Sequence, residues 1–435
     1  MYISELSIKN YRKFQEYKIS FSHNMSVLIG KNGTGKTSIL EALTIAMGSF
    51  FYGIEGMYSV GINPSDAHNK YYLVGEDIDV QKQFPVEITA KGKVGERDIT
   101  WTRKLNSIKG RTTSINAKEM TQLSLEYQKR LMNGDSTLIL PMLAYYGTGR
   151  LWDDHREKWS IKYRENIKAN TRVNGYIDCL DGRANVKLLM DWFRRMFIKS
   201  ANNGKVNGTY MVVKKAMENC FSRFTGAQDV SVLVNPDTSK LEICYHTEED
   251  GGVQIPLDQL SDGYRCALSL IGDIAYRMAT LNPQLGQDVL NNTPGIVLID
   301  EVDLHLHPEW QQLILKDLTE TFPRIQFIVT THAPAIINSA ESSTLLALEE
   351  NTVVYLGNDA YGRDVNTIVK TYMGSSVRPI KIQNRFNELY GCLDSNDMDG
   401  AKKVLNELRE QIDVNDAELA SCIVKIKLAE RKNNR

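Results

Sequence analysis

The stretch "LIGKNGTGKTSIL", Leu28 to Leu40, decides the fold. "SVLIG" (Ser26–Gly30) reads as a short buried strand and "KTSILEALTIAMG" (Lys36–Gly48) as a helix, with Ile39, Leu40, Leu43, Ala46 and Met47 at helical spacing. Between them runs G-x-x-x-x-G-K-T, from Gly30 to Thr37. Glycines let successive backbone N–H groups turn inward around a polyphosphate, and the helix N-terminus adds its dipole. The cradle comprises Gly30, Lys31, Asn32, Gly33, Thr34, Gly35, Lys36, Thr37 and Ser38. Lys36 is expected to reach the β/γ-phosphates, and the Thr37 hydroxyl to bind Mg²⁺.

Downstream, "TPGIVLIDEVDLHLHPEWQQ" (Thr293–Gln312) supplies a second half. "GIVLI" is a continuous apolar run of the kind buried in a parallel sheet. Asp300 and Glu301 follow it. Asp300 is the second expected metal residue, and Glu301 the catalytic group that polarises the attacking water. The other reading of this pair is a cap on the next helix. "IQFIVTT" is a further strand, and His332 stands at its C-terminal end, the edge where open α/β sheets collect ligands. His332 is the second expected catalytic residue, beside the γ-phosphate or the attacking water.

Taken together, "GKNGTGKT", "LSDGYR", "VLIDEVDLHLHP" and "TTHAP" resemble the ABC-type ATPases of the RecF/SMC/OLD group, and "LSIKNYRKF" looks like that group's opening strand and turn. The resemblance implies an α/β fold: an ABC-type P-loop ATPase head with a mixed sheet and flanking helices. It also implies a homodimer in which the signature loop of one subunit closes on ATP and Mg²⁺ held by the other, with higher oligomers open. Ser261 and Gly263 are then the contacts in trans, and Arg12 in the opening turn joins the nucleotide-binding set. Asp262 replaces the usual second glycine of the signature and brings negative charge near the phosphate. His305 and His307 could form a metal pair, but no third ligand is evident nearby.

The group's usual glutamine is missing from "LPMLAYYGTGRLW" (Leu140–Trp152). Its "YYGTGR" run, with "GYIDCLD", "LLMDWFRRM" and "YGRDVNTIVKTYMG", is similar to ATPases of bacterial anti-phage and retron-associated systems, the PtuA type of the Septu system. Arg150 reads equally as a sensor contact or a buried salt bridge. The resemblance implies an HNH-type endonuclease partner, since no nuclease motif stands out in this chain. The alternative function is a RecF-like ATPase that clamps DNA in repair.

About 220 residues separate the phosphate loop from the signature, yet no sustained heptads announce coiled-coil arms. The expected organisation is an N-terminal lobe at 1–150, an inserted helical lid at 151–225, a C-terminal lobe at 226–374 and a helical partner-docking extension at 375–435. Basic runs such as "RENIKANTR" (Arg164–Arg172) and Arg194-Arg195 read as a DNA-facing groove or as a solvated helix face. Three amphipathic helices follow Gly374, with Asp397 or Asp399 and Asp413 or Asn415 as N-caps. Those helices either pack on the head or present a face to a partner.

The bulk composition narrows little: 435 residues carry a net charge of −1, which demands neither nucleic acid nor an anionic membrane. The six cysteines form no CxxC pair, so reduced thiols and a cytoplasmic location are expected. The N-terminus alternates charged and apolar groups, unlike a signal peptide. No apolar run approaches the ~18 residues of a spanning helix.

Overall fold

The computed structural model describes residues 1–150, 171–182, 186–204, 207–247, 251–341, 343–349, 352–356, 358–395, 397–413 and 415–433. Most of the "RENIKANTR" run and the start of the expected lid lie outside these residues. The chain forms two compact units, 1–363 and 364–435.

In the first unit a six-stranded sheet has the order Val353–Leu356, Thr344–Leu348, Met25–Ile29, Ile325–Thr330, Gly295–Ile299, Met142–Tyr146. All neighbours are parallel except the first pair. The inner strands "MSVLI", "IQFIVT" and "GIVLI" are buried at every position. Such runs suit a sheet covered on both faces, so their apolar continuity forces them to the centre. Parallel alignment then brings the C-terminal ends of Ile29, Ile299 and Thr330 to one edge.

A four-stranded antiparallel sheet covers the helix that follows the phosphate loop. Its order is Phe14–Ser20, Tyr2–Tyr11, Val86–Val94, Arg97–Leu105. Val86, Ile88, Ala90 and Val94 alternate inward, as a half-buried strand requires. The last turn of helix Lys36–Met47 leaves carbonyls without intrahelical partners. Trp101 Nε1 donates to the Ala46 carbonyl at 2.9 Å and Arg103 Nη1 to that of Ile45 at 3.1 Å. The helix is thereby pinned at its far end, which holds its N-terminus still at the sheet edge.

The antiparallel strands Asn69–Val74 and Asp77–Lys82 pair only with each other, and nearly all their residues are exposed. Gln228–Val234, Leu241–Thr247 and Gly251–Pro256 form a three-stranded antiparallel sheet. It leads into the long signature helix Asp262–Leu281. Helices Val186–Asn203 and Gly208–Thr225 pack along that helix and bury Leu189, Phe193 and Met217. Among the described residues no helix exceeds 20 residues, so no coiled-coil arm is present there.

The second unit contains helices Val365–Thr371, Ile380–Asp394, Met398–Gln411 and Ala417–Asn433. Phe386, Leu389, Val404, Leu408 and Leu419 share its core. Asp397 caps the third helix through the Gly400 N–H. The fourth helix is capped by Asp416, whose carboxylate accepts from the N–H groups of Glu418 and Leu419; neither Asp413 nor Asn415 takes that role. Arg378 also binds Asp416 and Glu418, which selects Asp416 over its neighbours.

Candidate active site

The turn after Met25–Ile29 takes left-handed backbone at Gly33 and Gly35, with φ of 79° and 98°. At Gly35 a Cβ would lie 2.4 Å from the Phe14 ring, so no side chain fits there. Lys36 opens the helix and is 7% exposed. Its Nζ donates to the carbonyls of Gly30 at 2.8 Å and Lys31 at 3.2 Å. Burial pushes its pKa down, opposed by Asp300, Glu301 and Asp303. The ammonium is thus held over the loop by two backbone carbonyls.

Thr37 Oγ1 donates to Asp300 Oδ2 at 2.8 Å, joining residues 263 positions apart. The other Asp300 oxygen accepts from Thr330 Oγ1 at 2.6 Å, and Thr330 Oγ1 in turn accepts from the Glu301 N–H at 2.7 Å. Sequence reasoning missed Thr330; its signal was the polar end of an otherwise apolar strand. Two hard oxygens, a hydroxyl and a buried carboxylate, therefore meet beside the phosphate loop. This donor set fits Mg²⁺, which uses one or two protein oxygens and completes its shell with phosphates and water. Among the described residues no group of three or more His, Cys, Asp or Glu could hold a metal, and the His305–His307 pair has no third ligand.

Glu301 has φ of 48°, a strained value for a residue other than glycine. Arg150 holds it there. The guanidinium is 4% exposed and donates to the carbonyls of Asp300 and Glu301, both at 2.7 Å, and to that of Gly147 at 3.1 Å. Its Nε reaches Cys266 Sγ on the signature helix at 3.3 Å. Arg150 is therefore a clamp on backbone carbonyls, with no salt bridge among the described residues. None of the described residues hydrogen-bonds the Glu301 carboxylate, which leaves it open to a water.

His332 stands at the same edge. Burial first and Lys36 second hold its pKa below the usual imidazole range, so the ring is neutral at pH 7. Asp303 accepts from Thr331 Oγ1 at 2.6 Å, which ties the loop after Glu301 to the His332 strand end.

Ser261 is exposed at the start of its helix. Gly263 is pressed against its own chain, where a Cβ would lie 2.6 Å from the His305 carbonyl. Asp262 has Arg265 at 3.4 Å, so the extra negative charge is partly offset one turn away. Arg12 pairs with Glu41 and Asp66 and approaches Ser38 Oγ at 3.5 Å. It lies beside the cradle, with two carboxylates already engaged.

A family model described as "AAA domain" matches residues 5–203, and one described as "AAA domain, putative AbiEii toxin, Type IV TA system" matches 152–338. Relatives match over most of the length. The "Retron Vc95 probable ATPase" of Vibrio cholerae serotype O1 biovar El Tor is 27% identical over 80% of this chain and 73% of its own. This chain is an ATPase. The ATPase is also 24% identical to the "Septu protein PtuA" of Bacillus thuringiensis, over 86% of this chain and 84% of that one. A "DNA replication and repair protein RecF" of Bacillus cereus (strain G9842) is 28% identical over only 28% of each chain.

Proposed function

We propose that the ATPase is a nucleotide-gated regulator and scaffold for an HNH-type nuclease in bacterial anti-phage defence, of the Septu or retron kind. Two copies close on two Mg-ATP molecules in the cytoplasm. Each nucleotide is gripped by the Lys36 loop of one copy and the Ser261 helix start of the other. The reading is carried by one observation: the phosphate loop is complete with Thr37 on Asp300, while Ser261 lies exposed with no partner role in its own active site. The relatives named for retron and Septu systems, matched over most of the chain, supply the biological setting.

Bound Mg²⁺ would offset charge on the β- and γ-phosphate oxygens. Thr37 and Asp300 would hold it. Lys36 would bind the same phosphates, and the N–H groups from Gly33 to Thr37 would surround them. Glu301 would accept a hydrogen bond from the attacking water, with neutral His332 positioned near the γ-phosphate. Among the described residues no helix is long and apolar enough to cross a membrane.

The test has two arms. Glu301→Gln, incubated with Mg-ATP, should trap a dimer detectable by light scattering; a monomer under saturating ATP removes the sandwich. Co-expression with an HNH-type endonuclease found encoded beside this chain should yield a stable complex through several columns. Separation of the two proteins at physiological salt removes the scaffold role.

A further inference from the structure

We infer that a half-open cavity at the C-terminal end of the signature helix binds a small phosphate monoester, and that its occupancy tunes ATP turnover. The cavity holds about 180 Å³ and lies between helix Val186–Asn203 and the last turns of Asp262–Leu281. Arg172, Arg195 and Lys199 line it, and no Asp or Glu does so among the described residues. Arg172 is fixed by the carbonyls of Leu281 and Leu138, at 2.7 and 2.5 Å, and no carboxylate touches it among the described residues. The Arg195 Nε is buried without a hydrogen-bond partner among the described residues. A buried donor left unsatisfied costs free energy, and three cations sharing a cavity repel one another. The repulsion falls when an anion enters. The Arg195 guanidinium and the Lys199 ammonium can donate to a ligand, while Arg172, whose nitrogens already donate to Leu281, Asp135, Leu138 and Asn282, adds positive charge alone; the set favours a dianion with several oxygens over a monocarboxylate. Trp192 and Tyr276 add apolar surface to the lining. They suit the organic body of an ester.

A buried polar chain connects this cavity with the catalytic edge. Arg277, 1% exposed, donates to the carbonyls of Gly175 at 3.0 Å and Ile177 at 2.7 Å, and Ile177 belongs to the cavity wall. Arg277 Nε also donates to Asp273 Oδ2 at 2.6 Å, and that same oxygen accepts from Tyr146 Oη at 2.7 Å. The Tyr146 carbonyl accepts from the Asp300 N–H at 2.7 Å. A shift of the 172–177 segment on ligand binding therefore bears on the backbone of Asp300. The signature helix carries the same shift toward Ser261, roughly 22 Å away at 1.5 Å per residue from Tyr276.

The probes are inorganic phosphate and deoxyadenosine 5′-monophosphate, titrated by calorimetry into the full chain carrying Lys36→Ala, which disables the nucleotide cradle. Binding should be weakened at least tenfold by Arg195→Ala and by Lys199→Ala; Lys199 is exposed, so its loss spares folding. Tighter binding of the nucleotide assigns a role to the apolar wall, and equal binding assigns recognition to the phosphate alone. Both outcomes support the site. No heat with either probe up to about 10 mM, or equal affinity after Lys199→Ala, overturns it. With Lys36 intact, the tighter probe should change ATP turnover at least twofold, and the change should vanish in Lys199→Ala. Tyr146→Phe should keep the binding and lose the response. Turnover that ignores an occupied cavity overturns the regulatory half, whatever becomes of the dimer or the nuclease.

Discussion

Replacing Arg150 by alanine isolates a contribution to turnover that does not touch the phosphates. The guanidinium donates to the carbonyls of Gly147, Asp300 and Glu301, and it is 4% exposed. Hydrogen bonds from a charged donor contribute about 1.5–3 kcal/mol each, and unsatisfied buried carbonyls add a penalty. Water entering the vacated space recovers part of this, so a net loss of about 3–5 kcal/mol is expected. At about 2.1 cal/mol/K per residue over the 363 residues of the first unit, 3 kcal/mol lowers its Tm by about 4 °C. Glu301 should then relax from its φ of 48° and lose its aim at the water. ATP affinity should be nearly unchanged, because Lys36 and the loop N–H groups do not contact Arg150. The assay pairs nucleotide binding with steady-state hydrolysis: kcat should fall at least tenfold while Kd stays within about twofold. Arg150→Lys should recover part of the stability and little of the rate, since one ammonium cannot span both carbonyls. Wild-type kcat in a folded Arg150→Ala protein would refute the clamp.

Lys36→Ala should weaken ATP binding by at least about tenfold, the loss of one charge-assisted contact, read by equilibrium binding; unchanged affinity removes the cradle assignment. Ser261→Arg, on an exposed position, should leave ATP binding intact and prevent the dimer seen with Glu301→Gln, read by light scattering in the double variant. His332 has a folded-state pKa below its ordinary 6.5, so the unfolded chain binds more protons there. Its contribution to stability is complete above pH 6.5 and is lost as pH falls below that value. Urea midpoints between pH 7 and 5 should therefore drop less in His332→Ala than in the wild type, and parallel profiles would refute the shift.

Much of the site was legible because its determinants are local. "GKNGTGKT" encodes its own turn through glycine backbone freedom, and "GIVLID" and "IQFIVTTH" place Asp300 and His332 at strand ends by apolar continuity alone. The helices after Gly374 were legible for the same reason, and their core residues Ala401, Val404, Leu405 and Leu408 are those of the periodic face. Competing caps marked the limit. Asp413, Asn415 and Asp416 are near-equivalent locally, and Arg378, 38 residues away, decides among them.

Sequence by itself determined the α/β class, the glycine-rich turn after the first inner strand and the acidic and imidazole groups at the neighbouring strand ends, because backbone sterics and hydrophobic period act between near neighbours. Only the tertiary structure decided what Arg150, Thr330 and Asp273 contact and brought Arg172, Arg195 and Lys199 to one cavity. Arg150 meets Glu301 across 151 positions, and Tyr146 meets Asp273 across 127. Contacts of that span depend on how the sheet orders its strands and on which face each helix buries. No window of neighbouring residues encodes them.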